Sequence, residues 1–439
     1  MKTSALFIDL YEIAMARAYL EEGQTEVAVF EAYFRTLPEG RSYLLAAGLE
    51  DVLDFIEAFR FEPDELAWLA GQGDFPQDFL DTLGKLRFTG DVWAVPEGTV
   101  VFPYEPLVQV VAPIHEAQLF ETFILNQIHL QTLIASKAAR MVGVARGRKL
   151  VEFGARRAHG TDAADKAVRA SYLAGFAGTS NLQAARRYGI PAFGTMAHSY
   201  VQAHEREAEA FEVYARLFAG TTLLVDTYDT LRAVDEVIAL AGRMGEGFQV
   251  AAIRLDSGDL GALAKAARER LDAAGLQSVR IFASSSLDEW KIDELLGDGA
   301  PIDAFGVGTK LVVSADAPTV DIAYKLVEYA GRGRTKLSAG KPIYPGRKQV
   351  FRKREDGIFT EDVIARADET CEGEPLLEKV MARGRRIASV GLGEARVRAR
   401  EQLAALPAEI RALDGTAVYP VRISERLRRD HERLRQEKS

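Results

Sequence analysis

Residues 248–260 read FQVAAIRLDSGDL, and this stretch sets the reading of the whole chain. A mostly apolar run over 248–255 enters the polar turn Arg254-Leu255-Asp256-Ser257-Gly258-Asp259, and 260–274 follows with apolar side chains at helical spacing. Strand, polar loop and helix together make one βα unit. Working outward, the same order recurs. Further apolar runs lie at 149–153, 190–193, 222–225, 279–283 and 302–307, and further helical stretches at 204–218, 230–244 and 287–296. Where the runs end stand EFGARRAHG (152–160), FGTMAHS (193–199), VDTYDT (225–230), FASSSLDE (282–289) and FGVGTK (305–310). In a βα barrel such loops share one face, and that face hosts the chemistry. Six units fall short of a closed eight-fold barrel, so the expectation is α/β, with an irregular, incomplete α/β barrel over 113–320.

The flanks read differently. Over 1–112 the pattern gives a helix at 10–19, an alternating strand at 27–34, helices around 48–59 and strands around Trp93 and Val101. Over 321–439 come strands at 322–329 and 349–352 and a charged helical tail, so both chain ends are expected to build a second domain. A long helical stretch at 116–139 links it to the barrel. The tail over 421–439 carries seven Lys or Arg against four Asp or Glu and reads as a solvated helix.

Composition narrows the function classes. With 439 residues, 48% hydrophobic and 27% charged, the chain has ample material for packed cores. A formal charge of −9 argues against a nucleic-acid coat, because phosphate backbones call for clustered Lys and Arg, but a local basic pocket for a small anion is compatible with it. One cysteine, Cys371, excludes an internal disulfide and a multi-cysteine zinc site. Residues 1–19 make a poor signal peptide, and no apolar run of about 20 residues exists, so no membrane is expected and a cytoplasmic location is.

The loops supply the candidate chemistry. FGVGTK offers Gly306, Gly308 and Thr309, backbone and hydroxyl donors suited to a phosphate, or else forms a plain strand-to-helix turn. In RLDSGD, Asp256 and Asp259 can orient ribose hydroxyls or hold Mg2+, while Asp259 is equally a helix N-cap. Arg254 ends an apolar strand and invites either an anionic ligand or a structural ion pair. Arg156 and Arg157 suit a polyphosphate, but neighbours on an extended chain face opposite ways, so one of them packs outside. VDTYDT adds Asp226, together with Asp229, a candidate cap. His198, three residues after Thr195, is a candidate nucleophile toward phosphorus or a proton carrier, with a structural histidine as the bland alternative. No HExxH, GxSxG or Walker pattern is present.

In order along the chain, DLYEIAMARAY (9–19), VFEAYFRTLP (29–38), EFGARRAHG, GFAGTSN (175–181), FGTMAHS, LLVDTYDT (223–230), IRLDSGDL (253–260), SSSLDE (284–289) and FGVGTKL resemble the nicotinate phosphoribosyltransferases over roughly 3–355. The resemblance implies an irregular α/β barrel beside an α/β sandwich formed by the N- and C-terminal parts, and a homodimer with active sites at its interface. It also implies that nicotinate and phosphoribosyl pyrophosphate become nicotinate mononucleotide, with ATP phosphorylating His198 as cosubstrate and Mg2+ accompanying the substrate rather than a fixed protein site. Carried over residue by residue, the catalytic set is His198, Arg254 and Asp256. The nicotinate contacts fall on Tyr11, Thr195 and Arg254, the phosphate loop on Gly306, Gly308 and Thr309, and further ligand contacts on Arg157 and Asp226. The chain departs from many relatives at 161–164, where Thr-Asp-Ala-Ala replaces a glycine-rich turn, and Cys371 alone cannot build the cysteine knuckle that some relatives carry. Residues beyond about 360 therefore lie outside the carry-over. The rival readings are a nicotinamide or quinolinate phosphoribosyltransferase, a sugar-phosphate barrel enzyme using Lys310, and an inactive nucleotide-binding relative.

Overall fold

Six short strands of the middle segment pair side by side, all parallel, in the computed structural model, which describes residues 3–336, 342–388 and 391–437. In chain order they are β1 (Lys149–Glu152), β2 (Gly178–Thr179), β3 (Thr222–Leu224), β4 (Ala252–Leu255), β5 (Arg280–Ser284) and β6 (Ala304–Val307). Their order across the sheet is β2-β1-β6-β5-β4-β3, an open half-barrel rather than a closed ring. By register one face of the sheet carries Leu150, Ile253, Leu255, Ile281, Ala283 and Phe305, all buried, while the other carries Arg254, Phe282, Ser284 and Gly306. The helices Thr230–Met244, Leu260–Ala273 and Glu289–Gly297 each start on an aspartate whose side chain accepts a backbone N–H of the first turn. Such a cap contributes about 1 kcal/mol. Asp229 and Asp259 are thereby caps.

One expected strand is absent. Residues 190–193 form only an isolated bridge, Ala192 to Thr179, and the sixth strand is Gly178–Thr179 instead. Pro191 has no N–H to give a ladder, and the segment is tied to Thr179 by two bonds, Thr179 N–H to Pro191 O at 3.1 Å and Phe193 N–H to Thr179 O at 2.8 Å. Gly178 makes this approach possible, because a Cβ there would lie 2.2 Å from Pro191 O and 2.7 Å from the Phe193 ring. Gly178→Ala is expected to cost about 1–3 kcal/mol by overpacking. Chemical denaturation with and without the substitution reads this, and an unchanged midpoint would mean the segment does not close on Gly178.

These strands belong to one compact unit, 137–318; the other joins 1–136 with 319–439. In that second unit a seven-stranded sheet interleaves the chain ends, in the order Arg332–Gly333, Ile322–Tyr329, Val27–Phe34, Val108–Pro113, Asp91–Ala94, Glu378–Ala382 and Arg385–Arg386. Its core includes Phe55 stacked on Phe123 at 3.8 Å. A four-stranded sheet, Glu374–Pro375, Lys348–Glu355, Ile358–Arg366 and Val421–Ile423, lies in the same unit. Beside it is a fully buried polar cluster. Arg352 donates through Nε to Asp362 Oδ1 at 2.9 Å and through Nη1 to Gln402 Oε1 at 2.9 Å, and Tyr419 donates to Asp362 at 3.0 Å. The guanidinium lies 4.6 Å from the centre of the Phe359 ring.

The linking stretch expected at 116–139 consists of a short helix, Ile114–Ala117, a 3-10 turn and the helix Glu121–Val144. The tail is a helix, Glu425–Glu437, with Leu427 buried; the last two residues of the chain lie outside the described residues. Among the described residues no helix is long and apolar enough to cross a membrane.

Candidate functional site

Because all six strands run the same way, their carboxyl ends bring the polar loops to one edge of the sheet. Arg254 sits one residue before the end of β4, and register places it opposite Phe282 of β5 and Leu224 of β3. Its guanidinium is held on three sides. Nε donates to Ser284 Oγ at 2.8 Å, Nη1 to Thr195 Oγ1 at 2.8 Å, and Nη2 pairs with Asp256 Oδ1 at 3.0 Å. Each terminal nitrogen keeps one further N–H uncommitted, and the planar fork lies 5.7 Å from the centre of the Phe153 ring. With its side chain 14% exposed, the cation is largely sheltered but still reachable. Sequence left open whether Arg254 serves an ion pair or a ligand; the geometry supplies the ion pair and leaves an edge for an anion.

Asp256 joins this group to His198. Its Oδ1 accepts the Ser284 hydroxyl at 2.5 Å, its backbone N–H donates to Asp226 Oδ2 at 3.0 Å, and its Oδ2 stands 3.9 Å from His198 Nε2. His198 opens the short helix His198–Gln202, and its Nδ1 is 3.1 Å from Thr227 Oγ1. Asp226 Oδ2 also accepts the Ser257 hydroxyl at 2.5 Å, whereas Asp226 Oδ1 is buried without a hydrogen-bond partner. Hard oxygen atoms from Asp226 and Asp256 therefore stand in one neighbourhood, although among the described residues no cluster of three or more metal-type side chains forms. Ser285 and Ser286 follow β5 with φ of 97° and 49°, a strained pair of the kind that collects at binding sites.

A second group gathers around β1 and β6, which are neighbours in the sheet. Gly306 lies against two rings, since a Cβ there would meet Phe153 at 2.7 Å and Phe282 at 2.8 Å. Gly308 precedes the helical turn Thr309–Val312, and Arg157 Nη1 reaches Thr309 Oγ1 at 3.4 Å. Of the arginine pair, Arg157 is the one with a contact to this loop, and both are exposed. Lys310 turns instead to Asp288 Oδ2 at 2.5 Å. Burial raises the Asp288 pKa, but the Lys310 ammonium and the Lys291 N–H outweigh it and hold the carboxyl below its usual range. Tyr11 belongs to the other unit, as the second residue of the helix Leu10–Glu21, with 45% of its surface exposed. Burial and the nearby Glu121 push its phenol up.

Sequence reasoning singled out His198, Thr195, Arg254 and Asp256, which meet here, and Asp226, which joins them through the Asp256 backbone. It missed Ser284, Thr227 and Phe153. All three lay inside the quoted loop motifs, and the signal for Ser284 was a hydroxyl at the end of an otherwise apolar strand.

Three family models tile the chain: the nicotinate phosphoribosyltransferase N-terminal domain over residues 6–129, the nicotinate phosphoribosyltransferase family over 148–363 and its C-terminal domain over 364–431. The third match corrects the expectation that family likeness stops near 360. The chain is 62% identical to a nicotinate phosphoribosyltransferase of Mycobacterium tuberculosis, over 98% of this chain and 94% of that one. It is 44% identical to one of Bacillus subtilis, over 79% and 73%. The crystal structure of human nicotinic acid phosphoribosyltransferase superposes with a TM-score of 0.87 at 30% identity, covering 97% of this chain and 99% of that chain.

Proposed function

Because the chain belongs to the nicotinate phosphoribosyltransferase family, we propose that it makes nicotinate mononucleotide and pyrophosphate from nicotinate and phosphoribosyl pyrophosphate. We further propose that ATP drives the reaction through phosphorylated His198 and that the product feeds NAD synthesis. The observation that carries this reading is the guanidinium of Arg254, fixed by Thr195, Ser284 and Asp256 with a free N–H on each terminal nitrogen beside an aromatic ring. A planar fork of that kind matches a carboxylate, and Phe153 offers a flat wall to the pyridine that bears it.

Held so, the ring nitrogen attacks C1 of the ribosyl donor while the bond from C1 to the pyrophosphate oxygen breaks and its electron pair leaves with pyrophosphate. Positioning supplies much of the rate. Arg157 and Thr309, in contact at 3.4 Å, are placed to take phosphate oxygens as negative charge develops on the leaving group. Mg2+ would be held by Asp226 and Asp256 together with substrate oxygens, and the unpartnered Asp226 Oδ1 suits that role. When bound, it neutralises phosphate charge. His198 has Nδ1 occupied by Thr227, so Nε2, facing Asp256, is the nitrogen offered to the γ-phosphoryl group of ATP. We propose a homodimer with the site at its interface; Phe7, Leu10 and Tyr11 near the first helix start are exposed apolar surface that a second copy would cover.

The test is direct. Purified protein given phosphoribosyl pyrophosphate, ATP, Mg2+ and equal nicotinate, nicotinamide and quinolinate should consume nicotinate. A tenfold preference for nicotinamide, about 1.4 kcal/mol, would overturn the substrate assignment. With γ-labelled ATP the wild type should form an acid-labile phosphoenzyme and His198→Ala none; label persisting in the variant would reject His198 as its carrier.

A further inference from the structure

Glu152 ends β1 with a fully buried side chain, and no role above uses it. The strands β3, β4 and β6 end in Leu224, Leu255 and Val307, so a carboxylate at this depth calls for an explanation. Burying it is costly unless its oxygens are hydrogen-bonded. They are. Oε1 accepts the Gly154 N–H and Oε2 accepts the Thr179 hydroxyl at 2.6 Å. Thr179 Oγ1 in turn accepts the Asn181 N–H at 2.9 Å.

The loop pinned by this carboxylate is the one that bears Arg157. Gly154 O accepts the Arg157 N–H at 2.8 Å, which closes the turn Ala155–Arg157. Gly154 is also pressed against the phosphate-suited loop, since a Cβ there would stand 2.4 Å from Val312 and 2.9 Å from Gly308 O. From Thr179 through Glu152 to Gly154, a continuous hydrogen-bonded path reaches the backbone of Arg157, whose guanidinium extends to Thr309 Oγ1 at 3.4 Å.

We propose that Glu152 is a positioning residue for the pyrophosphate end of the ribosyl donor, acting through the Arg157 loop and not on the pyridine; this deepens the reading above and rests on it. Removing the carboxylate frees the Gly154 N–H and the Thr179 hydroxyl and lets the turn drift from the phosphate loop. The pyridine end keeps its own anchors: Arg254 stays bonded to Thr195 and Ser284, and the Phe153 wall is held by its backbone N–H donating to Val307 O at 2.7 Å, a bond that does not involve Glu152.

The experiment compares Glu152→Ala, Glu152→Gln, Arg157→Ala and the double variant of Glu152→Ala with Arg157→Ala. Inorganic pyrophosphate affinity is read by calorimetry with Mg2+, and KM is read for each substrate. Glu152→Ala should weaken pyrophosphate and raise the KM of phosphoribosyl pyrophosphate about tenfold, a loss in keeping with misplacement by a fraction of an ångström, while the nicotinate KM stays within about twofold. Glu152→Gln keeps an acceptor for the Gly154 N–H and can donate to Thr179, so it should recover most of the affinity. Adding Arg157→Ala to Glu152→Ala should cost little more, because both act through one group. Unchanged pyrophosphate affinity, a parallel rise in both KM values, or failure of the glutamine variant to recover would each overturn the proposal. If Glu152→Ala does not fold, Thr179→Val removes one anchor with little change of shape and is read the same way. Should the wild type bind pyrophosphate with this dependence on Glu152 yet make no nicotinate mononucleotide, the substrate reading fails and the positioning role stands.

Discussion

Arg254→Ala is expected to lower kcat/KM for nicotinate by about 10²–10³-fold, which corresponds to roughly 3–4 kcal/mol of lost transition-state stabilisation. Two losses combine. The pyridine carboxylate loses its fork, and Asp256 loses a cation 3.0 Å away while Ser284 and Thr195 lose a donor. An uncompensated Asp256 would also disturb the neighbouring His198, 3.9 Å off. Arg254→Lys separates the contributions, because an ammonium keeps the charge but cannot make the same fixed set of contacts. Its loss should fall between wild type and alanine. Steady-state kinetics with nicotinate varied at saturating ribosyl donor decide the matter; an alanine variant within tenfold of wild type would remove Arg254 from the pyridine site.

Asp362→Ala should be the most damaging change to stability. Asp362 and Glu105 share one buried guanidinium, Arg352, with all three side chains fully buried. Burial, then repulsion from Asp362, raises the Glu105 carboxyl, and Arg352 hydrogen-bonds Asp362 through Nε and Nη2 while Glu105 stands 3.9 Å off, so Asp362 is its main counter-charge. Deleting Asp362 strands the guanidinium, and breaking a buried pair in this way costs about 3–5 kcal/mol. Tyr419 and Gln402 do not offset that loss: the hydroxyl of Tyr419 loses its acceptor, and Gln402 is a neutral partner. Thermal unfolding should move down by at least several degrees. A midpoint within 2 degrees of wild type would show that Glu105 ionises and takes over, about the size of an ordinary surface change.

Much of the parallel sheet was legible because its strands are short apolar runs that stop at glycine-bearing loops. The helix Thr230–Met244 matched residue for residue, with Asp229 capping its start and Gly245 following its end. The helix Thr161–Ala174 escaped notice for a physical reason. It buries Asp165, Lys166 and Arg169, charged residues that a reader of periodicity assigns to solvent. The strand Gly178–Thr179 is too short to carry a pattern, and it exists because Gly178 admits the Pro191 carbonyl. At the site, residue types with evident chemistry were visible in the loops. The link from Ser284 to Arg254 and Asp256 was not, because it arises from the alignment of β4 with β5. Glu152 was hidden in the same manner: EFGARRAHG draws attention to its arginines, while the glutamate's task depends on a threonine 27 residues on, at the end of the next strand.

The adjacency of β1 and β6, with Lys149 beside Ala304, joins the opening and closing strands of the unit one strand in from the edge of its sheet. A nascent chain emerging from the ribosome would carry the arginine loop long before its partner, and that pairing must wait for the last segment to be made. Closing so large a loop is entropically slow. Half-made molecules would therefore expose the Phe153 ring and an unpaired strand edge, which makes this the point at which a chaperone or a misfolded dimer would compete for the protein.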